Sequence, residues 1–330
     1  MNRKVSVAPM MDCTDRHERY FLRLISKNTL LYTEMIVDEA INRGDKKKLL
    51  EFNINEKPVA LQLGGSSPKL LSEATKIGED FGYDEINLNL GCPSRKVEKN
   101  KFGACLIKEP NLVADCLAKM KSVTNLPVTI KTRIGYDNVE DYENFLKFIS
   151  IIKKTGVQTF IIHARKAMLG KFTPKQNLNI PPLKYNYVYD LKKDFPEDEI
   201  ILNGGITSIE QIKNHLVKTD GVMIGRAAYH TPYFLADIEK EIFGNDEVPS
   251  RQEVIEKLIP YVKDEVKKGT RLNQIMRHTL GLFHGQSGAG YWKRYLSENL
   301  CVRDADIQKI NHIMDKVKYN RSEISEGKFA

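Results

Sequence analysis

Hydrophobic positions in this chain fall into short, nearly continuous runs separated by segments whose apolar residues recur every three or four positions. The runs cover residues 5–11, 30–35, 58–65, 85–91, 127–135, 159–165, 200–206 and 221–226. Runs of this length, bounded by turn residues, predict strands covered on both faces. Between them, 68–81, 111–123, 141–154 and 208–217 have the spacing of amphipathic helices, the last three with a cap or an acidic first turn. Eight strand-then-helix units in roughly 240 residues predict an α/β fold of the (β/α)8 TIM-barrel type. A doubly wound sheet would open with a glycine-rich dinucleotide loop after an early strand, and this sequence has none.

The pattern changes near residue 245. Asn245-Asp246-Glu247-Val248-Pro249-Ser250 reads as a linker. Helical periodicity then runs through 251–268, 271–283, 291–299 and 304–318, with a glycine-rich turn holding Gly285 and Gly290. The expected organisation is a barrel over 1–245 followed by a small C-terminal helical domain over 246–330.

Composition narrows the class. At 330 residues and 41% hydrophobic content the chain can bury a large core. It has no apolar stretch of membrane-spanning length, and its N-terminus lacks the apolar segment of a signal peptide. A cytoplasmic, single-chain protein without a membrane anchor is expected. Five scattered cysteines, Cys13, Cys92, Cys105, Cys116 and Cys301, form no CxxC pair, so neither a disulfide framework nor a metal site is expected. The net charge is +8, and residues 251–330 carry 15 Lys and Arg against 10 Asp and Glu. That concentration points to an acidic partner for the C-terminal segment.

Polar residues and glycines gather at the C-terminal ends of the predicted strands, where barrels build active sites. Asn203-Gly204-Gly205 ends the seventh strand and Gly225-Arg226 the eighth. Glycines let backbone N–H groups close on an anion, and these two loops commonly hold phosphate in barrels. Lys131 and His163 end the fifth and sixth strands. A strand lysine aimed at a barrel mouth needs an anionic partner, supplied by a ligand or by a barrel carboxylate. His163 is either a ligand contact or a satisfied core histidine. Gln62 and Asn89 sit where they can bond the edge of a flat heterocycle or satisfy a loop. Cys92 lies in a polar strand-end loop before Pro93, where a thiol can serve as proton donor or nucleophile. The other cysteines read as small buried hydrophobes.

At these residues the sequence resembles the tRNA-dihydrouridine synthases. The matching stretches are Ala8-Pro9-Met10-Met11-Asp12, Thr33-Glu34-Met35, Gln62-Leu63-Gly64-Gly65 and Asn87-Leu88-Asn89-Leu90-Gly91-Cys92-Pro93-Ser94. Lys131-Thr132-Arg133-Ile134-Gly135, His163-Ala164-Arg165-Lys166-Ala167, Asn203-Gly204-Gly205-Ile206 and 220–226 extend the match along the barrel in the same order. Leu30-Leu31-Tyr32-Thr33-Glu34-Met35, the 174–183 insert, Arg277-His278 and Tyr295-Leu296-Ser297-Glu298-Asn299 are similar to the bacterial enzymes acting on D-loop positions 20 and 20a. Leu178 departs from that subfamily, which tends to carry a basic residue there.

The resemblance implies a flavoprotein oxidoreductase that uses FMN and NADPH to convert uridine to 5,6-dihydrouridine in tRNA. It implies FMN held by Pro9, Met10, Met11, Gln62, Lys131 and His163, with the phosphate gripped by Asn203, Gly204, Gly205, Gly225 and Arg226. It further implies hydride delivery to C6 of the base and a proton from Cys92 to C5. A base within folded RNA must be extruded to reach a barrel mouth. Asn89, Arg165, Lys166, Lys175, Lys293 and Arg294 are the expected RNA contacts. Two other readings stay open. A barrel reductase of a free metabolite needs no basic helical platform, and a non-catalytic RNA-binding protein has no use for Cys92, Lys131 and a phosphate grip.

Overall fold

The computed structural model describes residues 1–299. Cys301 and the helix expected over 304–318 lie outside the described residues. Eight parallel strands form one sheet: β1 (Val5–Val7), β2 (Leu31–Val37), β3 (Val59–Gly64), β4 (Glu85–Leu90), β5 (Val128–Arg133), β6 (Thr159–His163), β7 (Glu199–Asn203) and β8 (Gly221–Ile224). Their order is β1-β8-β7-β6-β5-β4-β3-β2. The ends of that order meet through Ser6 and Leu30, where Val7 N–H donates to the Leu30 carbonyl at 2.9 Å and Leu30 N–H to Val5 at 3.2 Å. The sheet therefore closes into the predicted (β/α)8 barrel, and closure removes the unpaired edge that an open sheet would leave.

Local chemistry explains the helices. Pro68–Asp80 starts at Ser67, whose side chain accepts from Leu70 N–H, and Tyr142–Lys153 starts at Asp141 bonded to Asn144 N–H. Ser208 caps Ile209–Leu216 in the same way. The cap or acidic first turn expected of the 111–123 helix is absent: Pro110–Lys121 has neither, and proline in its first turn, which has no N–H to orphan, takes that place.

Chain contacts resolve two compact units: residues 1–16 with 28–225, and residues 17–27 with 226 onward. The first contains all eight strands. In the second, Arg16–Ile25 supplies Tyr20, stacked on Tyr261 at 3.8 Å, and His17, whose Nδ1 lies 2.7 Å from the Tyr261 hydroxyl. Arg251–Lys267 opens with a capping box of Ser250 and Glu253. The continuous helix expected over 271–283 is instead an α-turn, Leu272–Met276, followed by a 3-10 segment, Arg277–Gly281. That segment ends at Gly281, where a Cβ would stand 2.3 Å from the His230 carbonyl oxygen, so the close approach requires glycine. Trp292, on Ala289–Asn299, is fully buried and donates from Nε1 to the Thr279 carbonyl at 2.9 Å.

The barrel interior is polar on one side. Ala8, Leu30, Tyr32, Ala60, Ile161, Ile201 and Met223 make an apolar cluster. On β4, by contrast, every second residue is polar: Glu85, Asn87 and Asn89, all buried. The 85–91 run is thus an alternating strand.

Candidate active site

Strand register assembles the mouth. Asn89 pairs with Lys131 across β4 and β5, Arg133 with His163 across β5 and β6, and His163 with Asn203 across β6 and β7. Each parallel step carries one strand-end side chain to the next.

The Pro9–Asp12 loop after β1 is held from within. Met10 N–H donates to Thr14 Oγ1 at 3.0 Å, Cys13 N–H to the Met10 carbonyl at 3.1 Å, and Asp12 N–H to the Glu34 carboxylate. Asp12 takes a left-handed φ of 61°, which short polar side chains tolerate best. Met10 packs on the apolar interior cluster, while Met11 is 55% exposed.

Gln62 and Asn89 bond each other and the loop beyond. Asn89 Nδ2 donates to Gln62 Oε1 at 2.8 Å, and Asn89 Oδ1 accepts from Gly91 N–H at 3.1 Å and Cys92 N–H at 2.5 Å. The amide oxygen of Asn89 is spent on its own loop, leaving one N–H hydrogen for a ligand. The Cys92 carbonyl accepts from Ala104 N–H at 2.9 Å, and Gly103 (φ +75°) comes so close that a Cβ would lie 2.5 Å from that oxygen. The half-buried thiol of Cys92 therefore hangs from a backbone fixed on both sides.

Lys131 has a neutral partner, the amide oxygen of Asn203 at 3.0 Å, rather than a barrel carboxylate. Burial, reinforced by the Arg133 charge, pushes its ammonium down to about 7. Asn203 Nδ2 in turn donates to the Met223 carbonyl at 2.8 Å. His163 is 7% exposed. Gly204 and Gly205 have φ of +125° and +73°, and a Cβ on either would enter His163, Leu183 or Tyr185 at 2.7–2.9 Å. Gly225 differs: a Cβ there would meet only Met10 and Ala8 at 3.6–3.8 Å. Its conformation and surroundings do not demand glycine, which fits a position kept bare for a close ligand. Arg226 begins the helix Arg226–His230.

The basic residues expected to meet RNA stand in different states. Arg165 donates to the carbonyls of Pro181 and, at 3.4 Å, Asn179, tying the β6 loop to the 174–183 insert. Lys166 pairs with Glu140 at 3.0 Å. Lys175, Lys293 and Arg294 are exposed.

A cavity of about 750 Å³ opens beside Cys92, lined also by Met11, Asp38, Ser94, Lys96 and Pro174. Lys131 and the glycines of β7 and β8 are not among its walls. Two residues, Asp38 in its wall and Arg133 outside it, escape strand-end reasoning. Asp38 is 3% exposed, and its Oδ2 has no hydrogen-bond partner among the described residues. Burial raises its carboxyl to about 6. Nearby, Arg133 donates to the carbonyls of Gly91 at 2.6 Å, Lys166 at 3.0 Å and Asn177 at 3.2 Å, stitching three loops together. Burial lowers its guanidinium to about 10. The strand-end motif containing Arg133 marked the position, but its carbonyl partners come from three distant segments.

The model of the dihydrouridine synthase family matches residues 6–318. The chain belongs to the dihydrouridine synthase family. Its relatives include the tRNA-dihydrouridine(20/20a) synthase of Synechocystis sp., 51% identical over 316 residues covering 96% of this chain and 95% of that protein. The enzyme of the same name from Escherichia coli K12 is 50% identical over 320 residues, 96% of this chain and 92% of its own. Among solved structures, a 2-naphthoyl-CoA reductase aligns with a TM-score of 0.53 at 11% identity, over 73% of this chain and 50% of that one, a likeness of fold alone. Members of the dihydrouridine synthase family are flavin-dependent oxidoreductases. Among the described residues, no group of three His, Cys, Asp or Glu could hold a metal, and no helix is long and apolar enough to cross a membrane.

Proposed function

We propose that this chain reduces uridine to 5,6-dihydrouridine at positions 20 and 20a of the tRNA D-loop, with FMN as cofactor and NADPH as reductant. The observation that carries this reading is the Cys92 loop: a thiol beside a 750 Å³ cavity, on a backbone pinned by Asn89 and Ala104. Full-length identity near 50% to enzymes of that name supports the substrate and the positions.

The residues suit FMN. Lys131 is half-buried with a neutral partner, and burial lowers its ammonium to about 7, so an electron-rich ring edge or an anion beside it would favour the charged form. Gln62 retains one amide hydrogen that could bond the ring, and Pro9, Met10, Met11 and His163 would complete the set that holds it. Asn203, Gly204, Gly205, Gly225 and Arg226 would hold the phosphate. Bound there and reduced by NADPH, the flavin would supply the hydride for C6 of uracil. Cys92 gives its proton to C5, which completes reduction of the 5,6 double bond. The cavity receives the extruded base. Residues 246–330 form the RNA-binding platform, with Lys293 and Arg294 on it. Lys175, exposed beside Pro174 of the cavity wall, positions phosphate. Arg165 and Lys166 act through the loop they anchor. The enzyme works in the cytoplasm as a single chain.

Mapping dihydrouridine in tRNA from cells lacking the gene tests the reading. Loss at 20 and 20a, restored by the wild-type gene, is the expected result. An unchanged map would overturn it.

A further inference from the structure

A chain of buried hydrogen bonds descends from the Cys92 loop through the barrel interior. Cys92 N–H donates to Asn89 Oδ1, and Asn89 Nδ2 to Gln62 Oε1 at 2.8 Å. Gln62 Nε2 donates to Asn87 Oδ1 at 2.8 Å, and Asn87 Nδ2 to Thr129 Oγ1 at 2.8 Å. The Thr129 hydroxyl donates to Glu85 Oε1 at 2.6 Å. The same oxygen accepts from the Tyr32 hydroxyl at 2.6 Å, and Glu85 Oε2 accepts from Arg3 Nε at 2.7 Å. Glu85 and Asn87 are fully buried, Gln62 and Thr129 are 1% exposed and Asn89 8%.

This chain runs in one direction only. Asn87 and Gln62 could each be turned end for end without changing shape, exchanging donor for acceptor; Asn89 is also held from above, because the backbone N–H groups of Gly91 and Cys92 can only donate to its oxygen. Glu85 removes that freedom, because a carboxylate surrounded by three donors accepts at every contact. Burial, and then Glu85 itself, hold the Tyr32 phenol well above its ordinary range, so it stays a donor. Thr129 must then give its one hydrogen downward and accept from Asn87. Asn87 must accept from Gln62, and Gln62 from Asn89. Asn89 is left with its oxygen toward the backbone N–H groups of Gly91 and Cys92.

We propose that Glu85, acting through Thr129, Asn87 and Gln62, is a positioning device that keeps an acceptor beneath the Asn89 amide and thereby holds Asn89, and the Cys92 thiol whose backbone it carries, in place. With the direction unset, a turned Gln62 would present its N–H against that of Asn89, push Asn89 aside and displace the loop it carries. A displacement near 1 Å at a reacting group costs on the order of 10²-fold in rate. The inference rests on Cys92 acting on the base.

The test uses the flavin-loaded enzyme, reduced with NADPH, and follows reoxidation of the flavin by tRNA in single turnover. Thr129→Val removes the hydroxyl that transmits direction, while Tyr32→Phe removes the other hydroxyl from the same Glu85 oxygen without touching the chain. Thr129→Val should reoxidise about 10- to 100-fold more slowly. Thr129→Ser should recover to within about threefold of wild type, and Tyr32→Phe should react at the wild-type rate, by the same positional argument. Apparent affinity for tRNA should stay constant throughout. If Thr129→Val and Tyr32→Phe lose rate equally, Glu85 serves stability only and the proposal fails. It fails also if Thr129→Val reacts like wild type, or if Thr129→Ser does not recover. Should Thr129→Val not fold, Thr129→Cys carries the same expectation, since a thiol is a weak donor and acceptor. Cys92→Ala, run alongside, separates the two readings. Wild-type speed in that variant removes the proton-donor role, whereas a slow Cys92→Ala beside a fast Thr129→Val removes the positioning chain alone.

Discussion

Replacing Cys92 by alanine isolates the proton transfer from everything else the loop does. The loop is held through its backbone: Cys92 N–H on Asn89, the Cys92 carbonyl on Ala104, and Gly103 close against that carbonyl. Alanine keeps all three contacts and removes only a half-buried sulfur. The melting temperature and the flavin content should therefore stay at wild-type values. Loss of a general acid costs about 10²–10⁴-fold, which at 1.36 kcal/mol per decade raises the barrier by about 3–5.5 kcal/mol. Stopped-flow measurement of flavin reduction by NADPH should show no change. Reoxidation of the reduced flavin by tRNA, measured anaerobically in single turnover, should slow by that factor. A mutant that forms dihydrouridine at the wild-type rate would refute the role assigned to the thiol.

Combining Arg226→Ala with Gly205→Val should strip flavin on dialysis, read from the absorbance-to-protein ratio. A charged phosphate contact contributes about 1.5–3 kcal/mol, and a Cβ at Gly205, with φ +73°, would press on Leu183 at 2.7 Å and Tyr185 at 2.9 Å. Full occupancy in the double variant would contradict the phosphate site. Asp38→Asn should stabilise the protein at pH 8 but not at pH 4. The native carboxyl titrates near 6 against an ordinary 3.8, so the folded state binds more protons between those values and loses stability as pH rises through them. That difference corresponds to about 3 kcal/mol at 1.36 kcal/mol per pH unit. Because the cavity admits solvent, we expect about 1–2 kcal/mol of it, complete above pH 6. A stability difference between variant and wild type that is constant from pH 4 to 8 would sink the argument. Lys293→Glu with Arg294→Glu should weaken tRNA binding and lower the salt slope by roughly 0.7–0.9 per lost phosphate contact. An unchanged slope in the folded, flavin-loaded variant would remove that pair from the interface.

The eight strands, the capped helices and the ring of residues at the strand ends are all legible in the sequence. They rest on short-range rules: apolar period, turn residues and capping side chains act within a few positions of one another. Gln62, Asn89, Lys131, His163 and Asn203 could be marked because each closes a recognisable apolar run. What each touches depends on register between strands distant in sequence. The β4–β5 register sets Asn87 opposite Thr129, and barrel closure brings Arg3 to Glu85, 82 positions away. Period-2 polarity in Glu85, Asn87 and Asn89 was visible in the sequence. It carried no meaning there, because only the closed barrel turns that face onto a buried polar column. The state of Asp38 and the partners of Arg133 were hidden for the same reason: a buried carboxylate with one oxygen bonded to Glu39 N–H and the other without a partner among the described residues, and a guanidinium spanning three loops, are properties of packing. Short-range pattern set the strands, most helices and the residues at their ends, but not the break of the 271–283 helix into Leu272–Met276 and Arg277–Gly281. The tertiary structure alone decided which of those residues are tied down by the protein and which remain for a ligand, because hydrogen-bond partners in a barrel are assigned by closure and register.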